Sequence, residues 1–493
     1  MAKIISVCEL TNINKGIIVL CHGVFDLLHI GHIKYFQKAK EFGDTLIVTI
    51  TSDKYVNKGS GRPIFNEQLR AEAIASLECV DYVAINYQST AVNVIKVLKP
   101  KFFVKGREYE DSLILDPEIK AADECGCQIR FTDEITFSSS NIINKLTLDK
   151  QAIDYLSIFR GKYDLSYIKE QIDNINTLSV LVIGEIIVDE YNYGFYIGKG
   201  RRESIMEFST YRKEKFLGGA AAVANHLVNF TDNVDIFSLI NYDQHYDFIN
   251  SELNSIVDRK WIFNNKSTFV KRRFIEDRID YRSLFKSSEI DDSLLSLEEV
   301  NHVCNALYNI IESYDLVIVV DYGHGFIGKK FAEIIYRANN PYIAVNTQIN
   351  TENRGFNLVS KYNNVDYVCI NENELRTLCR DKYSVLNEHL ISKIHDYITV
   401  EDVIITCGYS GSVIMDKYND YYEVPVFSTK VVDAMGAGDA LFSITAPLVA
   451  LDTTMDLVGF IGNVAAAEHV KYPGNSYILD KIELIKKIEG LLK

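Results

Sequence analysis

The sequence predicts an α/β protein made of two doubly wound parallel-sheet domains, and three observations predict it. Strand-like and helix-like segments alternate with short connections over residues 17–131. A second series of strands ending in glycine-bearing turns begins near residue 179. The length, 493 residues, exceeds one ordinary domain.

Taken in order, the apolar and β-branched run Ile17-Ile18-Val19-Leu20 predicts a buried strand. A glycine-bearing turn follows, and then a helix, with Ile33, Phe36 and Ala39 at helical spacing. The same reasoning predicts strands at 46–50, 82–85, 102–104 and 128–131, and helices over 67–79, 92–98 and 117–125. Residues 146–177 are polar and helical, with Tyr155, Ile158 and Phe159 at packing spacing and no Gly/Ser-rich or Pro-rich linker. The second half opens with a strand at 179–184, and central strands follow at 316–320 and 403–406. The expected division is a first domain over 1–146, a helical connector over 147–177 and a second domain over 178–493.

Composition narrows the function classes. The apolar share of 47% and charged share of 24% are those of a globular protein with material for two cores. A formal charge of −15 argues against duplex nucleic acid or an anionic membrane as partner, while leaving room for basic pockets. No apolar run approaches the ~20 residues of a spanning helix, and the first residues lack the apolar core of a secretion signal, so a cytoplasmic protein is expected. The nine cysteines are scattered without a C-x-x-C framework, and Cys125-Gly126-Cys127 is too tightly spaced for a zinc knuckle. Reduced thiols are expected.

The chemistry of the first half centres on Gly23-Val24-Phe25-Asp26-Leu27-Leu28-His29-Ile30-Gly31-His32. The first N–H groups of a helix are unpaired and carry partial positive charge, which suits phosphate. His29 and His32 fall on one face of the first turn, where each can donate a hydrogen bond to a triphosphate as charge builds on it. Two histidines near a helix start are often only polar surface; here they follow a strand and a glycine turn, and nucleotidyl transfer is the chemistry suggested. Lys58, in Lys58-Gly59-Ser60-Gly61-Arg62-Pro63, and Lys105-Gly106-Arg107 are basic segments just after strands. Lys and Arg are usually solvated, but in doubly wound sheets ligands sit beyond the carboxyl ends of the strands. Ser139, Ser140 and Asn141 combine hydroxyl caps with a helix start, which serves either as an N-cap or as a phosphate site.

These segments, continued through Thr51-Ser52-Asp53, resemble the cytidylyltransferase-like nucleotidyltransferases. Asn66-Glu67-Gln68-Leu69-Arg70, Val80-Asp81-Tyr82-Val83, Leu98-Lys99-Pro100 and Ser139-Ser140-Asn141-Ile142-Ile143 narrow the resemblance to the adenylyltransferase half of the bifunctional heptose 7-phosphate kinase/heptose 1-phosphate adenylyltransferases. The glycerol-phosphate cytidylyltransferase branch carries an R-T-x-G-I-S-T motif where this chain has Glu134-Ile135-Thr136-Phe137-Ser138. The resemblance implies a Rossmann-like domain that uses ATP, with CTP as the alternative. It makes His29, His32 and Lys58 catalytic, and Gly23, Val24, Phe25, Lys105, Gly106, Arg107, Ser139, Ser140 and Asn141 nucleotide-binding.

In the second half, Gly218-Gly219 precedes a run of small residues that lets a helix pack closely. Asp433-Ala434-Met435-Gly436-Ala437-Gly438-Asp439 opens an apolar helix. Its glycine loop is suited to charge on a transferred phosphoryl group. Asp439 is placed to take a proton from an attacking hydroxyl, though an aspartate there also suits the helix dipole. With Asn371-Glu372-Asn373-Glu374 between them, these segments resemble the ribokinase-like sugar kinases from about residue 178 to the end.

That resemblance implies a ribokinase-like fold with a small lid, Asp439 as base, and Gly436, Ala437 and Gly438 as the anion hole. It also implies Gly408 and Gly411 at the nucleotide, Asn371 and Glu374 in the magnesium shell, and Asp189, Gly218 and Gly219 at the sugar. Ribokinase-like kinases often dimerise, so a homodimer is a further expectation. Domain order is reversed relative to the heptose enzymes. Glu185, Ala222, His324 and Asn346-Thr347-Gln348 depart from their pattern, as does Gly200-Arg201-Arg202-Glu203-Ser204-Ile205. Together the halves suggest a bifunctional enzyme that phosphorylates a sugar or sugar phosphate at the anomeric hydroxyl and joins the 1-phosphate to a nucleotide. The alternatives are a nucleotidyltransferase with a degenerate kinase-like ligand-binding domain, and a nucleotide or sugar sensor, which need not keep both His29/His32 and Asp439.

Overall fold

Along the strand Ile18–Gly23 successive side chains enter two different cores, which is how a sheet covered by helices on both faces must be read. Val19 and Cys21 join one core, and Leu20 joins the other. The computed structural model describes residues 2–13, 16–56, 63–107, 116–132, 148–199, 205–278, 281–291, 293–428 and 431–492. The chain divides into two compact units, Met1–Asp149 with Glu489–Lys493, and Lys150–Ile488.

The first unit contains β1 (Lys3–Ile4), β2 (Ile18–Gly23), α1 (Ile30–Lys40), β3 (Thr45–Thr51), α2 (Glu67–Ala75) and β4 (Tyr82–Asn86), then α3 (Val92–Leu98), β5 (Phe102–Gly106), α4 (Asp116–Cys125) and β6 (Gln128–Thr132). The sheet is parallel in the order β1-β4-β3-β2-β5-β6. Phe36, Ala71 and Ile74, from α1 and α2, pack on one face. Val94, Ile95 and Ala122, from α3 and α4, pack on the other. The order reverses between β2 and β5, so the crevice expected for ligand lies beyond Gly23 and Gly106.

The second unit begins with α5 (Lys150–Lys162) and α6 (Leu165–Asn174). Next come β7 (Val180–Gly184), β8 (Ile186–Lys199), β9 (Met206–Gly219), α7 (Ala220–Leu227), β10 (Val234–Ile240), α8 (Tyr246–Glu252), β11 (Asp258–Phe263), β12 (Phe269–Glu276) and β13 (Arg282–Glu289). They are followed by α9 (Leu297–Tyr308), β14 (Leu316–Asp321), α10 (Lys329–Tyr336), β15 (Tyr342–Thr347), β16 (Asn364–Asn371), α11 (Glu372–Cys379), α12 (Glu388–Ser392) and β17 (Thr399–Thr406). The unit closes with β18 (Ser412–Met415), β19 (Tyr421–Val424), α13 (Ala437–Ala450), α14 (Met455–His469) and the first two turns of α15 (Lys481–Leu492), whose residues from Glu489 onward belong to the first unit. A nine-stranded sheet runs β11-β10-β7-β14-β15-β16-β17-β18-β19, parallel as far as β17. A separate lid sheet runs β13-β12-β8-β9.

The fold class read from the sequence therefore holds for both units, and the structure adds how the lid is made. α13 is buried along nearly its whole length, which explains an apolar sequence with little sidedness. Phe159 of α5 packs on Phe460 of α14 at 4.2 Å between ring centroids, while Lys162 and Tyr163 reach Asp456 at 2.5 and 2.6 Å. All nine cysteines are free thiols. Among the described residues no helix is long and apolar enough to cross a membrane.

Candidate active sites

In the first unit, the chain leaves β2 through a tight turn in which Phe25 has φ of +46°, an unusual state for a bulky residue. Gly23 is required by the same turn, since a Cβ there would lie 2.8 Å from the Phe25 ring. The Phe25 ring meets His32 edge-on, with centroids 5.3 Å apart and planes at 88°. His29 is the N-cap of α1, and its Nδ1 accepts the Gly31 N–H at 3.1 Å. In the neutral ring the proton therefore sits on Nε2, which is buried and has no hydrogen-bond partner among the described residues. Burial lowers the His29 pKa, favouring that neutral donor. The His29 and His32 rings stack at 3.9 Å.

Arg70, which sequence reasoning did not assign a role, ties this turn to its surroundings. Its fully buried guanidinium donates to the carbonyls of Val24 (2.6 Å), Phe65 (2.9 Å) and Thr51 (2.9 Å), and to Asp53 Oδ1 at 2.5 Å. Asp26 Oδ1 accepts the N–H groups of Ile64 and Phe65 at 2.7 and 3.1 Å. Lys105, expected at the nucleotide, has a buried ammonium that lies 3.3 Å from Glu118 and donates to the His22 carbonyl at 3.2 Å. The cause is local, because Glu118 is itself buried against the Ala91 N–H at 2.7 Å and needs a cation. Gly106 ends β5, and Arg107 is exposed just beyond it. Lys58, Ser139, Ser140 and Asn141 lie outside the described residues.

In the second unit a cleft of about 660 Å³ brings together Asp189, Asn371, Gly408, Gly411, the segment Gly436-Ala437-Gly438, and Asp439. Gly436 is the N-cap of α13 with φ of +79°, and a side chain there would collide with Asn475 and His469. Asp433 fixes the loop, accepting the Met435 N–H at 3.1 Å, the Gly474 N–H at 3.0 Å and the Tyr191 hydroxyl at 2.7 Å. Asp439 is buried in the first turn of α13 and receives the Tyr322 hydroxyl at 3.0 Å on Oδ2 and 3.3 Å on Oδ1. Burial pushes its pKa up to about 7.

Asn371 and Glu374 form a capping box at the start of α11. The Glu374 oxygens accept the N–H groups of Asn371 (2.7 Å) and Ile349 (3.0 Å), and burial pushes its pKa up to about 7. Among the described residues no cluster of three or more His, Cys, Asp or Glu groups is placed to hold a metal alone. Gly218 and Gly219 are buried and do not line the cleft. A Cβ at Gly218 would come 2.6 Å from Asp189, so this glycine makes room for that carboxylate.

The lid contributes what sequence reasoning missed. Lys271 and Arg273 alternate along β12 and so share a face, and Arg273 lies directly opposite Lys286 of β13. All three line the cleft, with Arg273 3.6 Å from Asp189. The intervening Arg272 points to the other face, toward Glu190 and Glu289. A run Lys-Arg-Arg reads as solvated charge; its period-two spacing was the available signal. Of the positions that depart from the heptose-kinase pattern, Gln348 lines the cleft while Glu185, Ala222, His324 and Asn346 do not. Glu185 instead accepts the N–H groups of Tyr322 (3.0 Å) and His324 (3.1 Å), holding the turn after β14.

Comparison with known proteins matches residues 20–145 to the cytidylyltransferase-like family and residues 177–482 to the pfkB family of carbohydrate kinases. The bifunctional protein HldE of Helicobacter acinonychis is 43% identical over 149 residues, which are 29% of this chain and 31% of that protein. HldE of Geobacter metallireducens is 39% identical over 135 residues, 26% of each chain. The chain thus spans less than a third of the length of these curated relatives. The crystal structure of phosphofructokinase-2 from Escherichia coli in complex with potassium shares the fold of the second unit. It has a TM-score of 0.52 at 13% identity, covering 64% of this chain and 100% of that one.

Proposed function

Because the chain belongs to the pfkB family of carbohydrate kinases and carries a cytidylyltransferase-like domain ahead of the kinase domain, we propose that it makes a nucleotide sugar in two steps. In the first step the second unit phosphorylates the anomeric hydroxyl of a sugar phosphate with ATP. Asp439 takes the hydroxyl proton, the oxygen bonds to the γ-phosphorus, and ADP leaves as the N–H groups of Gly436, Ala437 and Gly438 meet the developing charge. Gly408 and Gly411 would pass beside the ATP, and Asp189 would orient the sugar.

Magnesium, when bound, neutralises the phosphate oxygens. Asn371, which lines the cleft, and Glu374, which does not but accepts the Asn371 N–H, would hold it: both offer hard oxygen donors, and each Glu374 oxygen spends one lone pair on a backbone N–H and keeps another. Such a donor pair fits an ion that retains waters and takes its other oxygens from the phosphates.

In the second step the sugar 1-phosphate attacks the α-phosphorus of a nucleoside triphosphate, ATP rather than CTP, and pyrophosphate leaves. His29 and His32 donate to the phosphates at the N-terminus of α1, with the Gly23-Val24-Phe25 turn beneath them. The product of the kinase is the substrate of the transferase, which gives the fusion its reason.

The observation that carries the reading is the burial of Asp439 beside a glycine loop at a helix start, in one cleft with Asp189. A phosphorylated acceptor is supported by the lid, since Lys271, Arg273 and Lys286 all line the cleft, and a phosphate would add to the Asp189 carboxylate that Arg273 already faces at 3.6 Å. Paired variants test the two steps. His32→Ala should stop pyrophosphate release yet leave ADP formation from heptose 7-phosphate intact. Asp439→Asn should stop ADP formation yet leave transfer to supplied heptose 1-phosphate intact. Normal turnover in either variant removes that assignment.

A further inference from the structure

Asp439 lies among titratable groups from four other elements: Asp189 on β8, Lys271 on β12, Glu374 on α11 and, on β16, the Cys369 thiol, which burial keeps neutral. None of these gives it a hydrogen bond. Tyr322, in the turn after β14, does, reaching Oδ2 at 3.0 Å and Oδ1 at 3.3 Å with its single O–H. We infer that Tyr322 is a positioning residue for phosphoryl transfer: its phenol keeps the Asp439 carboxylate charged and turned into the cleft. The inference rests on Asp439 being the base of the kinase reaction.

The turn is built to hold that phenol still. Glu185 accepts the Tyr322 N–H at 3.0 Å and the His324 N–H at 3.1 Å, both buried. The Tyr322 carbonyl accepts the side-chain amides of Asn350 (2.9 Å) and Asn353 (3.1 Å). The Lys271 ammonium stands over the ring, 4.9 Å from its centroid. Peptide, carbonyl and ring face are thus each fixed, and the Gln348 side chain also meets the phenol oxygen, whose O–H is donated to Asp439. Burial pushes the phenol pKa well above its usual value, so Tyr322 stays a donor wherever Asp439 titrates. A donor to the charged carboxylate favours ionisation, opposing the burial that raises Asp439.

Tyr322→Phe keeps the ring and the Lys271 contact and removes the O–H, and with it the bond to Asp439 and the Gln348 contact. In the full chain labelled with 13C at aspartate carboxyls, the Asp439 signal is assigned by its absence in Asp439→Asn. Its titration midpoint should rise by about one pH unit in Tyr322→Phe, a tenfold change in the ionised fraction below the midpoint. With magnesium ATP and heptose 7-phosphate, the acid limb of kcat/KM should move up by the same amount. The variant should be about fivefold slow near pH 7, approach tenfold at lower pH and recover above pH 9, with KM for ATP unchanged. An unmoved midpoint, or a loss equal at every pH, overturns the inference. If Asp439→Asn still transfers phosphate, or the wild type does not phosphorylate heptose 7-phosphate, the kinase reading fails, and the carboxyl titration alone then decides whether Tyr322 sets the charge of Asp439.

Discussion

The rings of His29 and His32 stack at 3.9 Å, an arrangement that two imidazolium charges would oppose. Burial and the Nδ1 contact to Gly31 both keep His29 neutral with its proton on Nε2. Replacing His32 with Ala should therefore lower nucleotidyl transfer by about 10² or more, as loss of a donor to developing charge does elsewhere; pyrophosphate release measures it. Asp439 carries the opposite kind of cost. Its folded pKa, about 7, lies above the 3.8 of a free aspartate, so the native state binds the extra proton between those values. The sign follows: this group's penalty is absent below about pH 4 and grows as pH rises toward 7. Asp439→Asn should raise the unfolding temperature of the kinase unit at pH 8, by stability on the order of 4 kcal/mol, and the gain should shrink at pH 5. Calorimetry of both proteins at the two pH values checks this.

At the scale of elements, the turn after β2 shows what a sequence makes legible. Strand, glycine turn and helix start are contiguous, so Gly23, His29 and His32 can be read together from local pattern. Arg70 cannot, because its value lies in binding the Val24 carbonyl 46 residues away. The lid was implied only by resemblance, since β8 and β9 are long strands whose outer halves are exposed and lack a clean alternation. The Lys105–Glu118 contact is likewise not legible in the sequence, because the two residues lie in different elements. Two predictions belong here. Gly23→Ala should displace the Phe25 ring, which lies 2.8 Å from the new Cβ, and lower nucleotidyl transfer about tenfold while sparing the kinase. Arg273→Ala should raise KM for a phosphorylated acceptor about tenfold and leave KM for ATP unchanged, as loss of a charge-assisted contact on the acceptor side requires; steady-state kinetics with each substrate varied separates the two.

For the molecule as a whole, each unit has its own cores, sheet and candidate site. The strand and helix alternation that predicted two doubly wound sheets is present in both, because parallel pairing demands a helix between strands. A chain of formal charge −15 nevertheless gathers Lys271, Arg273 and Lys286 on one cleft face, a placement that favours an anionic acceptor. Mass spectrometry of the products from the full chain, magnesium, ATP and heptose 7-phosphate tests the central claim most directly. The account predicts ADP, pyrophosphate and an ADP-sugar that retains the original phosphate. A nucleotide sugar formed only when a ready-made 1-phosphate is supplied, across a panel of hexose, heptose and polyol phosphates, would contradict it.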